Sequence, residues 1–119
     1  MNTDALPTPL QPVSHAMSAL VRMKDGDLTA RQLCVLLQLA TNHPTPWCTG
    51  DLTKATGLPA PAATRAILRL EALGLVLNGR STTDRRRNAV RLNKKGLWFI
   101  RKLAEGSTAT TPQPTAQAN

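Results

Sequence analysis

Four arginines, Arg80, Arg85, Arg86 and Arg87, stand within eight residues of one another, with Asp84 among them. A guanidinium offers five N–H donors in a rigid fork and does not lose its charge, so its chemistry is the grip of phosphate or carboxylate oxygens rather than proton transfer. A solvated loop gains nothing in folding from gathering like charges. Opposite a nucleic-acid backbone each such residue releases counterions, and a guanidinium entering a narrow minor groove meets enhanced negative potential. Lys94 and Lys95 follow at what reads as a helix N-terminus, where the macrodipole disfavours cations by roughly 0.3 to 1 kcal/mol each; a nearby phosphate offsets that cost. Upstream, Thr64, Arg65 and Arg69 fall outside the helical apolar stripe of Ala63, Ile67 and Leu70, so they face outward. The other readings of the arginine run are a solvated charged face and a surface for an acidic protein.

Other chemistries find little to work with. The chain has seven acidic residues, no Ser, His and Asp grouping and no phosphate-cradling glycine loop, which argues against an enzyme. His43 and Cys48 are too few for a four-ligand metal site, and His15 belongs to a different element, so neither metal nor cofactor is expected. Two cysteines do not make a disulfide framework; Cys34 reads as a small core residue and Cys48 as a partly exposed one. Three aromatic residues and no tyrosine leave little platform for stacking RNA bases. Met1 to Pro12 lacks the basic start and apolar run of a signal peptide, and no stretch approaches the ~20 apolar residues that span a bilayer. A cytoplasmic, nucleoid-associated protein with no membrane partner is the expectation.

The net charge is +8, and it is unevenly placed. Residues 52–104 hold twelve Lys or Arg against Glu71 and Asp84, whereas residues 1–51 hold Arg22, Lys24 and Arg31 against four Asp. All of the positive excess lies in the second half, which favours a polyanionic partner.

The elements that must position these side chains follow from periodicity. Residues 1–12, with three prolines, and residues 105–119, without periodic apolar positions, read as disordered ends flanking one domain over 13–104. Ser14 caps a first short helix carrying Met17, Leu20 and Val21, which Asp25 and Gly26 end. Thr29 and Gln32 form a capping box opening a helix with Leu33, Leu36, Leu37 and Ala40 on one face; Val35 and Leu39 make it apolar nearly all round. Thr49 caps a brief helix with Leu52 and Ala55, ended by Gly57 in the left-handed conformation. The next helix starts near Pro61 and stops at Gly74. Extended runs at Leu75–Leu77 and Ala89–Leu92 flank a long charged loop from Asn78 to Asn88, and a last helix runs from Lys94 to about Ala104. Trp98 and Phe99, being adjacent, point to different sides of it, and one is core. The fold class is mainly α with a small β-hairpin: a winged helix-turn-helix.

The segment Asp84-Arg-Arg-Arg-Asn-Ala-Val-Arg-Leu-Asn-Lys-Lys-Gly96 resembles the wing and following helix of MarR-type regulators, whose pattern is D-x-R-x-x-x-x-x-L-T-x-x-G. Asp84, Arg86, Leu92 and Gly96 match in spacing, and Asn93 replaces the threonine with an equally good N-cap. The run from Arg65 to Val76 looks like the family's recognition helix and its exit into the first wing strand, so the similarity covers about residues 29–104. The resemblance implies a transcription regulator binding double-stranded DNA as a homodimer. It sets Pro61, Ala62, Thr64, Arg65 and Arg69 in the major groove, with Arg86 as the wing-tip contact in the minor groove and Asp84 as its support. Arg80, Arg85, Arg87, Lys94 and Lys95 join the expected DNA-binding set. The family's long dimerising C-terminal helical region has no counterpart after Ala104. That departure keeps two alternatives open, a protein-binding adaptor and a monomeric architectural or plasmid-maintenance DNA binder, and leaves the small-molecule effector that many members bind unassigned.

Overall fold

A computed structural model describes residues 4–24 and 26–108. Its elements run α1 (Leu10–Arg22), α2 (Ala30–Thr41), α3 (Thr49–Thr56), α4 (Ala60–Ala72), β1 (Val76–Arg80), β2 (Asn88–Leu92) and α5 (Lys94–Ser107). The chain divides into two compact units, Leu28–Arg101 and Met1–Asp27 with Lys102–Asn119.

In the larger unit the helix starts are set by local chemistry. Thr29 Oγ1 accepts from the Gln32 amide at 3.1 Å while Gln32 Oε1 accepts from the Thr29 amide at 3.0 Å, so the expected capping box opens α2. Leu33, Val35, Leu36 and Leu39 are buried. Cys34 is exposed and Leu37 is 42% exposed, which corrects both placements in the core: a helix apolar on nearly every side does not reveal which side its neighbours cover. The α3 cap is Cys48, whose Sγ accepts from the Asp51 amide at 3.4 Å; Thr49 stands one residue inside, its hydroxyl engaged elsewhere. Gly57, at φ 78°, turns the chain from α3 into α4, a conformation that a side chain disfavours. Pro59 is the N-cap of α4 and Pro61 lies in its first turn, where a missing N–H costs nothing.

The buried side of α4 is Ala62, Ala63, Ala66, Ile67 and Leu70, and the helix packs on α2, α3 and β1. From it the chain enters an antiparallel hairpin with Val76 opposite Leu92 and Arg80 opposite Asn88. The first strand reaches Arg80, beyond the expected end at Leu77, because Asn78 and Gly79 pair with Val90 and Ala89; the loop shortens to residues 81–87. Trp47 pairs with Val90 on the other edge of β2 through two backbone bonds of 2.8 and 2.7 Å. Phe99 of α5 is the core member of its pair at 1% exposure, and Trp98 is 56% exposed.

The smaller unit holds α1 and the last turns of α5, with Ala19, Leu20 and Leu103 buried. Helix α1 starts at Leu10 after an uncapped Pro9, taking in residues 10–12 that composition assigned to an arm. Prolines at positions 9 and 12 fit because first-turn amides have no intrahelical partner to lose. Ser14 is therefore interior to the helix, and Met17 and Val21, expected to pack with Leu20, are exposed. At the other end α5 runs on to Ser107. Of the ends read as disordered, residues 1–3 and 109–119 lie outside the described residues, as does Asp25.

Candidate nucleic-acid interface

The wing loop is built by two side chains. Ser81 Oγ accepts from the amides of Thr83 and Asp84, both at 3.2 Å, and the Ser81 amide donates to the Arg87 carbonyl at 3.0 Å. Asp84 Oδ1 then accepts from the Arg86 amide at 3.1 Å and from Arg86 Nε at 3.3 Å, while Oδ2 lies 3.9 Å from Arg87 Nε. The Arg86 side chain is 91% exposed, so its pairing with Asp84 contributes little to stability. What it fixes is direction. Arg80 Nη1 donates to the Arg85 carbonyl at 3.1 Å, bracing the loop from the strand side, and Arg85 is exposed. One carboxylate and two arginine donors thus hold a loop whose four guanidinium groups all reach solvent.

This hairpin is stitched to the start of α3. Asn88 Oδ1 accepts from the Thr49 amide at 2.9 Å, and Asn88 Nδ2 donates to Thr49 Oγ1 at 2.8 Å and to Asn78 Oδ1 at 3.2 Å. A backbone N–H can only donate, so the oxygen of the Asn88 amide must face Thr49 and the nitrogen the two oxygens. Arg87 Nη1 lies 3.9 Å from Cys48 Sγ. A groove between the two elements is lined by Gly50, Asp51, Lys54, Arg86 and Arg87 among others. Sequence reasoning passed over Asn88, because nothing local marks a bond between residues 39 apart.

On α4, Pro61, Thr64, Arg65 and Arg69 are exposed, as expected, and Leu68 joins them at 53%. Ala62 does not: it is 5% exposed. Its spacing of four and eight from Ala66 and Leu70 sets it on the packed side of the helix, which corrects its assignment to a groove-facing position. A second groove runs between the start of α2 and α4, lined by Thr29, Arg31, Gln32, Ala62, Arg65, Ala66 and Arg69. Arg31, absent from the expected set, is exposed there. Its one sequence signal was being the sole Lys or Arg between Lys24 and Lys54.

The two lysines at the start of α5 part ways. Lys94 is exposed. Lys95 Nζ donates to the Leu73 carbonyl at 3.0 Å, at the C-terminal end of α4, where a cation is favoured by the dipole. That gives Lys95 an intramolecular partner, at the end of α4 remote from Pro61 by about 20 Å of helix. Asn93 caps α5, its Oδ1 accepting from the Gly96 amide at 2.8 Å. Among the described residues no group of three His, Cys, Asp or Glu could hold a metal ion, and no helix is long and apolar enough to cross a membrane.

The sequence model of the MarR family matches residues 26–87. Among solved structures, RV1404 from Mycobacterium tuberculosis shares 23% identity at a TM-score of 0.71, over 80% of this chain and 63% of that one. A mutant MarR from E. coli complexed with operator DNA shares 21% at 0.68, over 83% and 67%. The S. aureus MepR–DNA complex shares 18% at 0.66, over 82% and 73%. The chain therefore spans less than two thirds of the M. tuberculosis protein. No curated protein matches it in sequence.

Proposed function

The chain belongs to the MarR family, and from that premise we infer that it is a sequence-specific regulator of transcription that binds double-stranded DNA. The observation that carries the reading is the wing: an exposed Arg86 aimed by Asp84, on a hairpin bonded through Asn88 to the helix-turn-helix that presents α4. The exposed face of α4, with Pro61, Thr64, Arg65 and Arg69, enters a major groove about 12 Å wide, and Arg86 enters the adjacent minor groove. Arg80, Arg85, Arg87 and Lys94 meet phosphates. The E. coli and S. aureus relatives were crystallised with DNA, which supports the same partner here.

Replacing Arg86 by alanine is expected to weaken operator binding and to lower the log–log salt slope by about one unit. Mobility shifts with genomic fragments across a salt series measure both. A wild-type protein that binds all duplexes weakly and alike would instead favour the protein-adaptor reading, and an unaltered slope in the variant would remove Arg86 from the interface.

A second copy completes the reading. Leu10, Val13, Met17 and Val21 recur at three- and four-residue steps along α1 and are 47, 56, 45 and 79% exposed. An apolar stripe of this kind on a helix surface marks a protein contact, and a two-fold pair suits a pseudo-palindromic site with half-sites about 34–36 Å apart. The double substitution Val13→Asp with Met17→Asp should convert a dimer to a monomer in sedimentation velocity. A wild-type protein that sediments as a monomer would favour the monomeric architectural alternative.

A further inference from the structure

We propose that the groove between the start of α2 and α4 is a phosphate site, with Arg31, Arg65 and Arg69 as its ligands and the backbone of the bound duplex as the source of the phosphate. The inference rests on the duplex-binding reading above and adds to it a contact from outside the helix-turn-helix and the wing.

Three arginines line this one groove, and no Asp or Glu does. Among the described residues none of the three forms an ion pair with Asp or Glu. Arg65 and Arg69 are four residues apart on α4, a like-charge spacing that disfavours a helix by a few tenths of a kcal/mol, and Arg31 adds a third cation from α2. Folding gains nothing from that arrangement; an anion held among them removes the repulsion. The floor is made of Ala62 and Ala66, both nearly buried, so small side chains leave the space between the arginines open. Arg31 stands in the first turn of α2, the positive end of that helix dipole. The Thr29–Gln32 capping box at the same helix end holds the turn that carries Arg31 in place. Because Arg65 and Arg69 border the groove from α4, a phosphate seated here would belong to the strand flanking the bases that α4 reads. The site would position the helix in the groove without reading sequence.

The test compares wild type, Arg31→Ala, Arg31→Lys and Arg86→Ala on an operator duplex and on a random duplex over a salt series. Arg31→Ala is expected to weaken binding to both duplexes by the same factor, about three- to tenfold, and to lower the log–log slope by about one; Arg31→Lys should restore the slope. Thermal melting of the unliganded protein should not change, since Arg31 is exposed. An unchanged slope in Arg31→Ala, with Arg86→Ala still reducing it, overturns the phosphate site and leaves duplex binding standing. No duplex binding by wild type overturns both. Inorganic phosphate supplies the second arm: a rise in melting temperature that Arg31→Ala abolishes, alongside an unchanged duplex slope, assigns the groove to a free anion and overturns the backbone source.

Discussion

Gly96→Ala is expected to lower the unfolding free energy by about 3 kcal/mol, the upper part of the range for forcing volume into a filled site, and the melting temperature by on the order of 15 °C. Helix propensity alone predicts the opposite sign, since alanine is favoured over glycine within a helix by about 1 kcal/mol. The deciding contact is backbone. A Cβ at this position would stand well inside contact distance of the Leu75 carbonyl oxygen, 3.1 Å from the Leu75 carbonyl carbon and 3.3 Å from Leu92 Cδ2. No flexible side chain can move aside to make room. Nor can α5 retreat cheaply, because its start is tied to the α4–β1 junction: the Asn93 amide donates to the Leu75 carbonyl at 3.2 Å, Asn93 Nδ2 donates to the Gly74 carbonyl, and Lys95 Nζ donates to Leu73. Gly79→Ala is the control, for nothing lies within 4 Å of a Cβ there, and it should melt within a few degrees of wild type. Circular-dichroism melts of the two variants decide the matter; a Gly96→Ala protein as stable as wild type would show that α5 does not lie on Leu75.

The same contact explains part of the pattern by which this sequence resembles its family. Leu92 is buried and Asn93 caps α5, and Gly96 leaves room for the Leu75 carbonyl, so three positions of the wing motif serve the joint between hairpin and last helix. Only Asp84 and Arg86 of that motif face solvent as a pair. Local rules located what local chemistry decides: the capping box at Thr29, the left-handed Gly57 and the early proline of α4. They misplaced what depends on neighbours remote in sequence. Ala62, Leu37 and Cys34 were misjudged because a small or apolar residue looks alike on a packed and an open face. The bond from Lys95 to Leu73 is not legible locally because its partner is 22 residues away. For the same reason Asn88 and Arg31 went unnoticed, since each acquires its meaning from a helix that arrives from another part of the chain.

Asn88→Ala should reduce operator affinity about tenfold, since one lost charge-neutral network of this size is worth about 1.4 kcal/mol or more. The substitution removes three hydrogen bonds and leaves the Thr49 amide, part-buried at the head of α3, without its acceptor. Wing and helix-turn-helix would still be joined through Trp47 and Val90, so the protein should fold and lose at most about 1–3 kcal/mol of stability. What it loses is the fixed relation between Arg86 on the loop and the exposed face of α4. A loosened wing must be ordered at the moment of binding, at a cost in side-chain and loop entropy that the native protein has already met in folding. The two consequences separate experimentally. Asn88→Asp keeps an oxygen toward the Thr49 amide and loses both donations, so it should recover most of the stability and little of the affinity. Hydrogen exchange at Thr49 reports the first, and titration of an operator duplex the second. If Asn88→Ala exchanges Thr49 no faster and binds as tightly as wild type, the wing is positioned by Trp47 alone. If exchange quickens while affinity holds, orientation of the wing is not what limits duplex binding.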